Sequence, residues 1–508
     1  MTDNPVDRLM ASREISFDEF EAQVRAEGDF VIEHLEAGTF DNPQTTVGLE
    51  YEFYAVDETD GSIRRVHRSL LQFLGFEKEL GLHNTELTSS VQPCNEAGLD
   101  AMAKELEAKL TATEEWTADH GIRLVSDGMW TIGPTDHSTR SYLLEATHEE
   151  GLVLAINVSN AVRYHGFASS ARRIGGHIDV PGVTLEADNP GPVSLTTSIQ
   201  PHFQLQRAAD LPRYFGYALR IAGPMLALGV NSPLFPPDLY DDPDPRTVLQ
   251  DGWMENRIPV YEDMMNPSDG PAKVRFPADV DRPRDAVDRI VEDRVLVPAA
   301  ITAGERFDDE FVHFRHKHGS FWRWVRPVFD GSSKAAANAR IEFRPLPGQP
   351  TLRDTTAFLA AFAGAMTGFP STDHPVADLP WEQARENFYA AAREGMDGDV
   401  TYITAEGETT TDVAECLDDL LETATAGLVE CGLSEDRAAE WVEPLRDRAR
   451  RRRTPAAWKR SQVAARLEAG ASITEAIHAA QREYLARQRE TFFDGCFSEW
   501  PDVGVAAE

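Results

Sequence analysis

Residues 46–55, TVGLEYEFYA, alternate apolar and polar side chains with the period of a β-strand, and the polar positions include Glu50 and Glu52. Side chains along a strand point to opposite faces in turn. The two carboxylates therefore share a face, about 7 Å apart, while Val47, Leu49, Tyr51 and Phe53 form the opposite, apolar face. Two like charges beside a core strand are costly unless something cationic sits between or above them. The segment asks for a sheet with one packed face and one charged face, and it makes a divalent-cation enzyme the first expectation.

Three later segments repeat the pattern. In 81–92 (GLHNTELTSSVQ), Asn84, Glu86 and Thr88 share a face. In 196–206 (TTSIQPHFQLQ), Gln200, His202 and Gln204 oppose Ile199, Pro201, Phe203 and Leu205, and Pro201 predicts an edge strand or a bulge. In 338–346 (NARIEFRPL), Arg340, Glu342 and Arg344 oppose Ile341 and Phe343. If these faces belong to one curved sheet, they line one cavity. Carboxylates with an occasional imidazole or amide oxygen suit Mg²⁺ or Mn²⁺. Guanidinium groups beside them suit phosphate, because the fork matches an oxyanion. Together these groups describe phosphoryl transfer, where catalysis is largely charge neutralisation and alignment.

Around these strands the pattern predicts helices over 15–38, 95–120, 145–165 (leading into a loop) and 209–230, and a strand over 121–126. The Gly- and Pro-rich stretch 166–195 reads as a long loop or hairpin, and 233–247, with five prolines, as loop. From about residue 354 the chain is mostly helical, interrupted by a polar hairpin-like insertion at 399–410. Strands and helices interleave without regular βαβ spacing, which favours an α+β fold with an antiparallel sheet. No GxGxxG follows a strand and no GxxxxGK[ST] occurs, so neither a Rossmann nor a P-loop site is expected. The expected organisation is an N-terminal helical segment (1–40), a catalytic domain (41–375) and a C-terminal helical region packed on it (376–508).

The charge balance narrows the partners. The chain has 508 residues, with 85 Asp+Glu against 49 Lys+Arg, a formal charge of −36 and only seven lysines. The acidic residues are spread along its length, which reads as a solvated surface adapted to high salt; a basic partner would favour one dense acidic block. Such a chain repels phosphate polymers, so nucleic acid is not an expected partner. Cys94, Cys416, Cys431 and Cys496 are scattered without a CxxC, which suggests neither a zinc ribbon nor a disulfide framework. MTDNPVDRLM has no apolar segment and no run of 18 apolar residues occurs, so no signal peptide or membrane span is expected and the chain reads as cytoplasmic. His313, His316 and His318 (HFRHKHG) fit neither one helix face nor one strand face as a metal cluster. The run RDRARRRR (446–453) reads as neutralising nearby acidic helices, and Cys94 as packed.

An ordered series of motifs resembles one family. VGLEYEF resembles the opening strand of the glutamate–cysteine ligase family, especially its bacterial carboxylate–amine ligase branch and the plant-type enzymes, and NTELTSSVQPC resembles the following acidic strand. SLTTSIQPHFQL followed by a helix and ALGVNSPLF, then DGWMENRIPVYEDM, HGSFWRWVRPVF, ARIEFRPLPGQPT and ENFYAAAREGMDG continue the series in order from about residue 46 to 400. Many relatives of the first branch carry His-x-His where this chain has Gln200-Pro201-His202. The resemblance implies a glutamine-synthetase-like fold, a curved antiparallel sheet flanked by helices that holds ATP and Mg²⁺ or Mn²⁺. It implies an ATP-dependent ligase of glutathione biosynthesis that forms a γ-glutamyl-type amide through an acyl phosphate. By position it implies Glu50, Glu52, Glu86, Glu342 and His202 as metal ligands, Arg344 and Arg326 as catalytic residues, Arg344 at the transferred phosphoryl group and Arg326 as an anchor for substrate carboxylate or phosphate. Arg340 and Arg344 would contact the nucleotide, and Arg257, Gln200 and Asn231 the substrate. Its partners would be an amino-acid carboxylate, an amine and ATP, and a homo-oligomer is compatible with it. A same-fold phosphotransferase and a non-catalytic nucleotide-binding relative are the alternatives.

Overall fold

The computed structural model describes Met10 and residues 14–502, except 150, 171–173, 175 and 268. Its centre is β1 (Thr46–Asp57), a strand of 12 residues long enough to pair with several others. Next come β2 (Phe76–Lys78), β3 (Asn84–Thr88), β4 (Gln92–Pro93) and β5 (Ile122–Val125), then the hairpins β6 (Ala146–Glu149)–β7 (Leu152–Ala155) and β8 (His177–Val180)–β9 (Val183–Glu186). β10 (Ile199–Gln204), β11 (Val325–Asp330) and β12 (Asn338–Phe343) complete an eight-stranded sheet in the order β11-β12-β10-β1-β3-β2, with β4 and β5 also pairing with β1. All of these pairings are antiparallel. The four segments singled out by alternation are thus the contiguous strands β12, β10, β1 and β3 of one curled sheet. A polar hairpin, β13 (Tyr402–Ile403)–β14 (Thr409–Thr410), interrupts the C-terminal helices.

The register explains why one sheet face is polar throughout. Glu50 stands opposite Gln200, Glu52 opposite Glu86, His202 opposite Glu342, and Arg326 of β11 also opposite Glu342. The alternate residues Leu49, Tyr51, Phe53, Phe203, Ile341 and Phe343 are buried on the other face. That face rests on the helix Leu352–Ser371, where Phe343 stacks on Phe362 with ring centroids 4.6 Å apart. The helix Val413–Glu430 packs behind it in backbone contact, since a Cβ on Gly427 would lie 1.9 Å from the Gly364 carbonyl oxygen.

Two expectations change. Residues 145–165 are not a helix: β6 and β7 form a hairpin, with Gly151 at φ 77°, and only Val162–Ser169 is helical. Gly151 supplies a left-handed turn that a helix would not accommodate, and LVLA after it is a compact apolar run. Pro201 does not mark an edge, because β10 lies between β1 and β12. The bulge alternative fits instead. The Ile199 N–H donates to the Leu346 carbonyl and the Leu205 N–H to the Ala339 carbonyl; the donors, at the start of β10 and just past its end, are six residues apart and the acceptors, flanking and within β12, are seven. The missing N–H of Pro201 falls where the ladder slips by one residue.

The C-terminal helices are latched to the sheet by buried polar contacts. Lys459, in the helix Pro455–Glu468, pairs with Asp127 and donates to the Asn231 carbonyl at 2.8 Å; both charged side chains are almost fully buried. In the last helix, Ile473–Thr491, the Gln481 amide donates to Asp127 at 2.8 Å and the Tyr484 hydroxyl to the Ser126 carbonyl at 3.0 Å. The basic run is spent in the same way. Arg448 is buried and donates to Asp354 (2.8 Å) and Gln349 (2.7 Å), while Arg450 pairs with Glu443 and Asp447 and Arg453 donates to the Trp500 carbonyl. No helix among the described residues is long and apolar enough to cross a membrane. Lys459→Ala strands the Asp127 charge in the core and is expected to lower the unfolding free energy by about 3–5 kcal/mol, read from denaturant titration.

Candidate active site

Two acidic groups form on the polar face of the sheet. Glu50, His202 and Glu342 each offer a ligand atom within 4.8 Å of the others, and so do Glu52, Glu79 and Glu86. Antiparallel register builds the first group by setting β1, β10 and β12 side by side. It builds the second by setting Glu52 opposite Glu86, with Glu79 arriving from the segment just after β2.

The groups differ in charge balance. Glu342 accepts from Arg326 Nε at 2.9 Å and pairs with Arg344. Burial works against its charge, but Arg326 and Arg344 hold it well below the ordinary carboxylate range. Burial also opposes the charge on Glu50, yet His202, whose Nε2 lies 3.2 Å from Glu50 Oε1, keeps its pKa lowered. In the second group nothing comparable answers the charge. Burial and then the neighbouring Glu79 push Glu52 up to about 8, although it accepts from Ser198 N–H (2.7 Å), Ser198 Oγ (3.0 Å) and Gln200 Nε2 (2.9 Å). Burial followed by Glu50, Glu79 and Glu52 lifts Glu86 well above its ordinary value, and burial raises Glu79 despite Arg163 nearby. Three carboxylates held together in this way lack a positive charge.

The donor set fits divalent cations. Five of the six side chains offer hard carboxylate oxygens, and the sixth, His202, turns its buried Nε2 to Glu50 Oε1 at 3.2 Å. Its Nδ1 accepts from Arg340 Nε at 3.2 Å, which leaves the ring proton on Nε2 facing Glu50, so Nε2 takes a cation only when that proton moves to Nδ1 and the Arg340 bond is released. Around the groups, Arg344 Nη1 donates to Gln200 Oε1 at 2.6 Å, and Arg257 donates to the Arg344 carbonyl at 3.2 Å. Glu52, Glu79, Arg257, Tyr261, Trp324 and Arg344 line the cavity beside them.

Most of the residues singled out in the sequence therefore converge: Glu50, Glu52, Glu86, Gln200, His202, Arg326, Arg340, Glu342 and Arg344 share this face, and Arg257 reaches the cavity wall. Asn231 does not. It is fully buried, its side-chain amide donates to the Gly348 carbonyl (2.7 Å) and Tyr484 (3.0 Å), and its main-chain carbonyl takes the Lys459 ammonium. Asp127 is likewise spent on that latch. His313, His316 and His318 do not converge: they face Glu27, the Val297 carbonyl and the Pro327 carbonyl. Glu79 escaped the sequence reading because β2 has only three residues, although Glu77-Lys78-Glu79 repeats the E-x-E spacing of β1.

The sequence matches the family model described as glutamate-cysteine ligase family 2 (GCS2) over residues 46–490. The chain belongs to that family, and with it to the carboxylate–amine ligases. Among solved structures, a glutamate–cysteine ligase from Francisella tularensis in complex with AMP is similar in fold, with a TM-score of 0.51 and 12% sequence identity, covering 89% of this chain and 91% of that one. A bifunctional glutathione synthetase from Pasteurella multocida gives a TM-score of 0.47 at 13% identity, covering 91% of this chain and 55% of that one. No curated protein matches the chain in sequence.

The crowded second group makes stability depend on pH. The folded pKa of Glu52 lies above its ordinary 4.5, so its contribution is fully present below pH 4.5 and is lost as pH rises through about 8. Without added cations, Glu52→Gln is expected to leave the melting temperature unchanged near pH 5. Near pH 9 it should raise it by about 2–4 °C in a thermal scan.

Proposed function

We propose that this chain is an ATP-dependent carboxylate–amine ligase of the glutamate–cysteine ligase type, forming a γ-glutamyl-type amide through an acyl phosphate. The observation that carries the reading is the pair of acidic groups on one sheet face, with Arg326 and Arg344 set against Glu342.

A free carboxylate is a poor acyl donor, because oxide is a poor leaving group. In the reaction we infer, a substrate carboxylate oxygen attacks the γ-phosphorus of ATP and ADP leaves. The amine then attacks the acyl carbon, phosphate departs with the C–O electron pair, and the nitrogen loses a proton. Glu50, His202 and Glu342 would hold one Mg²⁺ or Mn²⁺, and Glu52, Glu79 and Glu86 another. Bound there, the cations would neutralise charge on the phosphates. Arg344, between Glu342 and Gln200, is positioned to meet the transferred phosphoryl group, and Arg326 supports it from β11. Arg340 would meet the nucleotide, and Arg257 a substrate carboxylate against Trp324, whose ring lies 5.3 Å from its guanidinium.

In a coupled ADP-release assay at molar salt, with glutamate and cysteine tested first across an amino-acid panel, Glu50→Gln and Glu342→Gln should each cut turnover by about 100-fold or more while the fold is kept. Normal turnover in both would remove the metal-ligand assignment, and a stable phosphorylated product without an amide would make the chain a phosphotransferase. Cation loading must displace protons from the second group. Mn²⁺ affinity, followed by electron paramagnetic resonance, is therefore expected to rise between about pH 6 and pH 9, and Glu52→Gln should flatten that rise.

A further inference from the structure

Behind the edge strand β11 lies a second cavity, of about 450 Å³. Val325 and Pro327 line it, whereas Arg326 between them points to the acidic face, so this pocket opens on the opposite side of the sheet. Its remaining walls come from the helices Leu211–Gly229, Arg257–Met265, Pro283–Glu292 and Trp381–Glu394 and from the loop between the second and third of these. Trp324 and Arg323 stand at the partition: Arg323 lines both cavities, and Trp324, in the first, donates to Glu262 at 2.7 Å in the second.

Four arginines, Arg275, Arg289, Arg323 and Arg385, line this pocket in a chain of net charge −36. Arg323 is paired with Asp293, which also takes Lys273. The other three form no ion pair among the described residues. Arg275 donates to the Ala272 carbonyl at 2.5 Å, Arg289 is spent on the Ala278 (2.6 Å) and Asp279 carbonyls, and Arg385 lies over the Tyr389 ring at 5.2 Å, which leaves Arg275 and Arg385 with spare donors. Asp279 is held by Arg220 and Asp285 by Arg282. Glu262 is the one carboxylate that lines the pocket, and burial pushes it up to about 7, so it offsets the arginines only in part. Phe276, Phe321 and Trp381 give the pocket apolar walls, and Trp381 is fixed by its bond to the Pro277 carbonyl at 2.7 Å. Guanidinium groups converging on a cavity, with spare donors and too few carboxylates, are a receptor for oxyanions.

We propose that this pocket is a second ligand site, which takes a small anion carrying at least two charged oxygen groups: a phosphate ester or a polycarboxylate.

The test uses the full chain carrying Arg344→Gln, which weakens anion binding on the acidic face, without added metal. Pyrophosphate, AMP and citrate are titrated separately by calorimetry. At least one should bind, and adding Arg275→Gln with Arg385→Gln should weaken it about tenfold or more, as expected for two lost charge-assisted hydrogen bonds. Binding of pyrophosphate or AMP alone identifies a phosphate ligand, and binding of citrate alone a polycarboxylate. Both substituted arginines are exposed. Should the combined variant melt early, Arg385→Gln alone carries the comparison. Failure of all three anions to bind, or an affinity indifferent to the pocket substitutions, overturns the proposal. Neither result bears on the ligase reading, because the variants compared share an unchanged acidic face apart from Arg344→Gln and differ only in the second pocket.

Discussion

The structure turns on a repulsion that the fold enforces rather than avoids. Antiparallel register places Glu52 opposite Glu86, and the segment after β2 adds Glu79, all half-buried. Hydrogen bonds from Ser198 and Gln200 hold Glu52 in place but supply no charge. A sheet packed on one face against a dense helical layer has no freedom to splay these side chains apart, so the group stays assembled at the cost of raised proton affinity.

The neighbouring group reaches a different solution with nearly the same donors. Glu342 has two guanidinium partners and Glu50 an imidazole, and both stay charged. One sheet face therefore carries an internally balanced centre beside an unbalanced one. Cation binding to the two would release protons to different extents, a chemical asymmetry set by the arginines that β11 and the residue after β12 supply and β3 does not.

Much of this was legible in the sequence because it is written in alternation. β1, β3, β10 and β12 each present a period of two over at least five residues, and the face of every site carboxylate on them follows from that period. What was not legible depends on partners far along the chain. Asn231 sits in a motif that resembles the family's, but its surroundings are set by Gly348, Lys459 and Tyr484, which no local pattern connects to it. Glu79 lies beyond a strand too short to show a period. The hairpin at 146–155 reads as helix in the sequence because only Gly151 marks its turn. Pro201 announced a bulge correctly and an edge wrongly, since a missing N–H records where a ladder breaks and not whether a strand lies beyond it.

The contact between Gly364 and Gly427 has a mechanical consequence. Two helices whose backbones touch, with a carbonyl oxygen where a methyl group would otherwise sit, behave as one stiff slab under the sheet. Another wall of the cavity, at Val193 and Ser194, belongs to a short buried 3₁₀ turn following the β8–β9 hairpin. The floor bearing the carboxylates keeps its spacing because the layer beneath it cannot give.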